Sequence, residues 1–233
     1  MNEEQYPRCA LCSVKACENP EQLPGGGLDA RSKAPPFCPM NLMPDIFTDS
    51  LAEYRKPGID EFARKASIQE AECYERTADG LRTRIPRIEE LVHFSRKCGY
   101  KRLGIAFCGG LANEARMLTG ILEKSGFEVV SVMCKSGATP KEELGLGPEN
   151  KINGTDAYEP MCNPIAQAQI INRSGVDLAV MLGLCIGHDT LFIKYCDVPL
   201  TVLAVKDRVL GHNPLAALYT SGTYYNRLVN GIE

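Results

Sequence analysis

From Lys101 to the end of the chain, continuous apolar runs alternate with stretches of helical period. RLGIAFC reads as a short apolar strand ending at Cys108 with Gly109-Gly110 behind it, ANEARMLTGILEKSG as an amphipathic helix closed by Gly126, and FEVVSVMC as a second strand ending at Cys134. A polar loop follows to about residue 158. CNPIAQAQIINRSG then opens a helix with Cys162 or Asn163 as its cap and Pro164 in its first turn. VDLAVMLGLC makes a buried strand ending near Cys185, GHDTLFIKYC a helix, and PLTVLAVKD a fourth strand. Strands of unbroken Val, Ile, Leu and Ala joined by helices predict a parallel sheet covered on both faces. The expectation is an α/β domain over residues 101–233 with an open, Rossmann-like parallel sheet.

The chain before Lys101 has two other textures. Residues 46–100 read as a helical arm. Pro57-Gly58 breaks a short first helix, and Ile59, Phe62, Ala63, Ala66 and Ile68 give a rough 3.6 spacing in a second. A third helix starts near Thr83 with Pro86 in its first turn. Its face is Ile85, Ile88, Leu91, Val92 and Ser95, and it ends at Cys98-Gly99. Residues 1–45 show no period that survives more than a few positions, and they hold Cys9, Cys12, Cys17 and Cys38 among prolines and a Gly25-Gly26-Gly27 run. Such a segment cannot pack alone. A metal held by the four cysteines would supply the crosslink it lacks.

With 233 residues, 44% hydrophobic and 24% charged, the composition is that of an ordinary globular protein. The 26 basic and 29 acidic residues give a net charge of -3 and divide evenly along the chain, so no part is built for nucleic acid or an anionic membrane. The start MNEEQYPRCALC has no basic region followed by an apolar run, and nowhere do 18 apolar residues run together. The expectation is a cytoplasmic protein. The anomaly is the 11 cysteines, an odd number. At about 5% they fall below the level of small disulfide scaffolds, and where thiols are kept reduced they point to metal ligation or thiol chemistry.

Ligands collect at the carboxyl ends of the strands in an open parallel sheet, and Cys108, Cys134 and Cys185 each fall at such an end. Cys162, starting a helix on the same edge, completes a possible four, and a helix N-terminus favours the thiolate that a metal needs. The expectation is that at least three of these hold one metal centre. The plainer reading of any one of them is a small buried apolar residue, and that is the reading for Cys73, Cys98 and Cys196. Around the proposed site stand Lys135, His188, Asp189, Lys206, Asp207 and His212. His188 and His212 either neighbour helix caps or, with Lys206, supply charge and protons to an anionic cluster or substrate. FCGGLANEA is not GxGxxG, so a nucleotide site has little support.

In the amino-terminal quartet, Cys9 and Cys12 form a CxxC half-site for one metal. The uneven spacing to Cys17 and the Cys38-Pro39 ending suit iron–sulfur ligation as well as zinc. The same CxxC does not begin a helix after a strand, which argues against a thioredoxin-like redox motif.

The segments GIAFCGGLANEA, CNPIAQAQIIN, GLCIGHDTLFIK and above all TVLAVKDRVLGHNPLAALY resemble the signatures of a family of uncharacterised, cysteine-rich bacterial and archaeal proteins, and the resemblance extends over essentially the whole chain. It implies metal binding through cysteines and brings no established reaction. Two functional readings therefore stand at this level. One is an iron–sulfur protein with a 4Fe-4S cluster at the sheet edge, a second metal in the amino-terminal arm, and redox or sulfur-transfer chemistry. The other is a non-catalytic zinc-binding or metal-handling module, with zinc above all at the quartet. Substrate, redox partner and oligomeric state leave no mark on the sequence.

Overall fold

The computed structural model describes residues 6–23 and 28–232, so the Gly25-Gly26-Gly27 run lies outside the described residues. The chain divides into two compact units, 1–67 and 68–233. In the first, a 3-10 turn over Cys9–Leu11 is followed by a two-residue ladder of β1 (Glu21–Gln22) with β2 (Leu28–Asp29). Helices α1 (Pro39–Leu42), α2 (Pro44–Tyr54) and most of α3 (Ile59–Glu72) complete it. Among the described residues of this unit only Ala16 is buried. A unit with so little apolar interior has small means of holding itself together by burial alone.

In the second unit the expected helical arm contains a hairpin. β3 (Tyr74–Thr77) pairs antiparallel with β4 (Gly80–Thr83), and only then does α4 (Arg87–Cys98) begin. Neither hairpin strand has a buried residue, so no apolar alternation announces it in the sequence. The third helix accordingly starts at Arg87 and not near Thr83. Pro86 stands outside it as the N-cap residue, and Gly99 ends it in the left-handed conformation that glycine adopts without strain.

The remainder is the expected open α/β arrangement. Strands β5 (Arg102–Phe107), β6 (Glu128–Met133), β7 (Leu178–Leu184) and β8 (Leu200–Val205) form one parallel sheet in the order β6-β5-β7-β8. Helices α5 (Ala112–Lys124), α6 (Pro164–Arg173) and α7 (His188–Tyr195) connect them, and α8 (Leu215–Tyr219) follows the last strand. On one face, Leu103, Ile105, Leu178, Val180 and Leu182 pack with Leu91 and Val92 of α4 and Ala115, Leu118 and Leu122 of α5. On the other, Ala106, Ala179 and Met181 pack with Ala168 and Ile171 of α6 and Phe192 of α7. β7 is buried along its whole length, as expected of a central parallel strand.

Strand β7 contains one irregularity that matters for the site. Its register against β8 shifts around Gly183, whose φ is +68°, and a Cβ there would stand 2.6 Å from Leu111 Cδ2. Leu184 packs with the Met181 face where strict alternation would put it with Leu182. A one-residue bulge thus inverts the facing of whatever follows.

Candidate metal centre

The sheet order puts Cys134, Cys108, Cys185 and Lys206 one after another along the carboxyl edge, each just beyond its strand. The ladder holds three of these positions by backbone bonds. Cys134 N donates to Phe107 O at 2.9 Å, Cys108 N to Leu182 O at 3.2 Å and Lys206 N to Leu184 O at 3.0 Å. Cys162 arrives from the far end of a long loop, where Asn163 N donates to Cys134 O at 2.7 Å. Asn163 is the cap of α6, its side chain accepting from Ala166 N at 3.0 Å.

The sulfurs of Cys134 and Cys162 lie 3.8 Å apart, and Cys108 is the other sulfur close enough to shift the Cys134 thiol. Gly109 N–H donates to Cys134 Sγ at 3.3 Å. Lys206 runs over Gly110, its Nζ 3.0 Å from where a Cβ on that glycine would sit, and its charge acts on Cys108. Cys134 is buried, while Cys108 and Cys162 are half-buried.

Protons divide unevenly in this group. Cys108 is lowered to about 4, chiefly by the bond from the Cys134 thiol and further by Gly110 N–H and Lys206, against the opposing effect of burial. Cys162 is lowered to about 5, again chiefly by the Cys134 thiol, with help from the charges of Lys135 and His188. Cys134 is pushed well above the usual thiol range by its two sulfur neighbours and by burial. Cys134 is thus the last of the three to lose its proton. Sulfur donors, N–H groups aimed at sulfur and nearby cations are the chemistry that an iron–sulfur cluster or a zinc thiolate site asks of its surroundings.

Cys185 stands on the same edge without joining the trio. Its sulfur accepts from Arg208 Nη2 at 3.1 Å. The inversion at Gly183 turns it from the face that carries Cys134 and Cys162. Arg208 was invisible as a site residue in the sequence, although its position two residues past Lys206 on a strand end was the available signal. His188 is the first residue of α7 and its charge reaches Cys162. His212 belongs to a closed turn. Its Nδ1 accepts from Asp207 N at 3.2 Å, its N donates to Asp207 O at 2.9 Å, and its φ is +66°. Asp207 Oδ1 accepts from Val209 N and Leu210 N, and Asp189 Oδ1 from Thr190 N, so both carboxylates bond to their own turns.

In the amino-terminal quartet, Cys9 and Cys12 flank a single 3-10 turn closed by Cys12 N to Cys9 O at 3.0 Å, and Cys12 Sγ accepts from Lys15 N at 3.4 Å. Cys9 and Cys17 are exposed, Cys12 and Cys38 half-buried. Among the described residues, at either place, no three or more His, Cys, Asp or Glu surround one point as a single-ion site. The three remaining cysteines are half-buried. Burial raises the thiols of Cys73 and Cys196, and Cys73 donates to Gln69 O at 3.3 Å. Among the described residues no helix is long and apolar enough to cross a membrane.

Comparison with known proteins gives one family and one close relative. Residues 38–203 match the family described as Protein of unknown function (DUF1847). Uncharacterized protein MJ0455 of Methanocaldococcus jannaschii is 43% identical over 224 residues, covering 96% of this chain and 99% of its own. Among solved structures, Dph2 from Pyrococcus horikoshii with a 4Fe-4S cluster is similar over 63% of this chain and 33% of its own, at 17% identity and a TM-score of 0.32. Another crystal structure of Dph2 from that organism covers 61% and 32% at 16% identity and a TM-score of 0.31. The chain spans about a third of the length of those Dph2 chains. Likeness at that score carries no argument about chemistry.

Proposed function

Because the chain belongs to the DUF1847 family, whose description brings no reaction with it, we propose from its own residues that it is an iron–sulfur protein with a cluster held by Cys108, Cys134 and Cys162. The observation that supports this most is the convergence of those three sulfurs through Cys134, with Gly109 N–H and Lys206 already directed at them. Loading requires Cys134 to give up its proton and the side chains to rotate toward a common centre. A 4Fe-4S cluster there supplies electron transfer and, at an iron without a protein ligand, a place for a small substrate, which suits redox or sulfur-transfer chemistry. Cys185, held by Arg208, stands by as the fourth sulfur. His188 and Lys206 sit beside the sulfurs and handle protons, and His212 braces the turn that carries Arg208. The quartet Cys9, Cys12, Cys17 and Cys38 takes a second metal, which orders the amino-terminal unit.

Isolation of the full chain without air, followed by iron, acid-labile sulfide and the visible spectrum, tests this reading. Iron and sulfide with a broad visible absorption support it. A colourless protein with zinc and no sulfide overturns it in favour of a second reading, a zinc-binding module. One observation favours that second reading. Zinc–sulfur bonds of about 2.3 Å in a tetrahedron place two sulfurs about 3.8 Å apart, and the Cys134 and Cys162 sulfurs are separated by 3.8 Å.

A further inference from the structure

Helix α6 turns Pro164, Gln167, Ala168 and Ile171 inward, an i, i+3, i+4, i+7 stripe in which Gln167 alone is polar. Gln167 has no accessible surface. Its Nε2 donates to Val132 O at 2.7 Å and to Phe107 O at 3.1 Å. Carbonyls only accept, so the amide must present its NH2 group to both and turn its oxygen elsewhere. That oxygen is buried and has no partner among the described residues. A buried acceptor without a partner is a net cost to folding, which a Met or Leu of similar size would avoid. The orphan oxygen offsets what the two N–H bonds contribute, so stability is a weak reason for a glutamine here.

The position of the two carbonyls is a stronger one. Phe107 is the last residue of β5 and immediately precedes Cys108, while Val132 is two residues before Cys134. The last β5–β6 bond, Cys134 N to Phe107 O, shares its acceptor with Gln167. One NH2 group thus ties the two strand ends together where the ladder stops, and it projects from the helix that Cys162 leads into. We propose that Gln167 is a positioning residue, whose amide fixes the separations among Cys108, Cys134 and Cys162. The role rests on these three being the metal ligands, and it assigns a purpose to the central glutamine of the CNPIAQAQIIN segment.

The test compares the full-length wild type with Gln167→Met, and with Gln167→Leu should the first not fold. After anaerobic reconstitution with iron and sulfide, the variant is expected to hold iron against a chelator about tenfold more weakly, the size of effect seen when a residue supporting a metal ligand is lost. Its visible and EPR spectra should be altered, and its melting temperature should not fall. Unchanged affinity and spectra overturn the proposal. So does a fall in melting temperature and affinity with unchanged spectra, because a purely structural role predicts that pattern.

A second measurement needs no cluster. In the metal-free protein, glutathione disulfide oxidises two neighbouring thiols to one disulfide and is itself reduced to two glutathione thiols. Peptide mapping reads how much Cys134–Cys162 bond forms. Wild type should give this pair in good yield and Gln167→Met severalfold less, whereas equal yields overturn the positioning role. If the wild type takes up no iron, the iron–sulfur reading fails by itself and this measurement still decides the role of Gln167.

Discussion

Cys9 and Cys12 flank one turn of chain, whereas Cys108 and Cys134 stand at the ends of two hydrogen-bonded strands. The first pair is brought together by the two residues of local chain between them, the second by a ladder that the whole sheet supports. The consequences differ. At the sheet edge the Cys134 and Cys162 sulfurs stand 3.8 Å apart and Gly109 N–H donates to Cys134, while in the amino-terminal quartet two thiols are exposed and two half-buried. A rigid scaffold can prepare a site before the metal arrives. A segment with one buried residue among those described has little apolar interior to order it, and a metal at the proposed quartet would supply what burial does not.

That contrast can be broken most sharply by removing one cysteine from each region. Cys134→Ala is expected to abolish iron at the sheet edge while leaving the fold of residues 68–233, as read by iron analysis and circular dichroism. Cys12→Ala should leave that iron and expose residues 6–67 to protease. Loss of the same metal in both variants would mean that the two regions are not independent.

The next largest effect concerns the bulge. Gly183→Ala forces a left-handed φ on alanine and a Cβ into Leu111, and should cost about 3 kcal/mol in denaturant unfolding. A cost near zero would show that the strand readily loses its irregularity, and Cys185 would then be free to turn toward the trio.

At the opposite edge of the sheet, Asp177 accepts from Lys101 N at 2.7 Å and Arg102 N at 2.9 Å. Asp177→Ala should lose about 1 to 2 kcal/mol at neutral pH. The N–H of Arg102, then that of Lys101, lowers its pKa in the folded protein. Its contribution is therefore present above the unfolded value of about 3.9 and is lost as pH falls through the lower folded value. The difference between the two proteins should shrink as pH falls below about 3.9, and a difference that does not shrink would refute the carboxylate as its source.

The smallest effect is read by alkylation of the metal-free protein. Cys108 and Cys162, at about 4 and about 5, should react readily at pH 6.5, while Cys73 and Cys196, raised by burial, should not. Cys134→Ala removes the main cause of both lowered values and should slow their reaction about tenfold at that pH.

Much of this was legible in the chain. The four strands, the helices between them and the placing of Cys108, Cys134 and Cys185 at strand ends follow from apolar runs and their boundaries, because a buried parallel strand has to be apolar throughout. The β3–β4 hairpin was not legible, since both of its faces are exposed and carry no alternation. Gln167 had a signal that went unread, a polar residue at a core position of a helical stripe.

The inventory and the edge are written in the chain: which cysteines end strands, and that a parallel sheet brings its strand ends to one side. Which of them meet is set by long-range packing. The order β6-β5-β7-β8 depends on the packing of two helical layers, and the facing of Cys185 depends on a single bulged residue admitted by the close approach of Leu111. Neither is written in local pattern, because both arise from contacts between residues far apart in the chain.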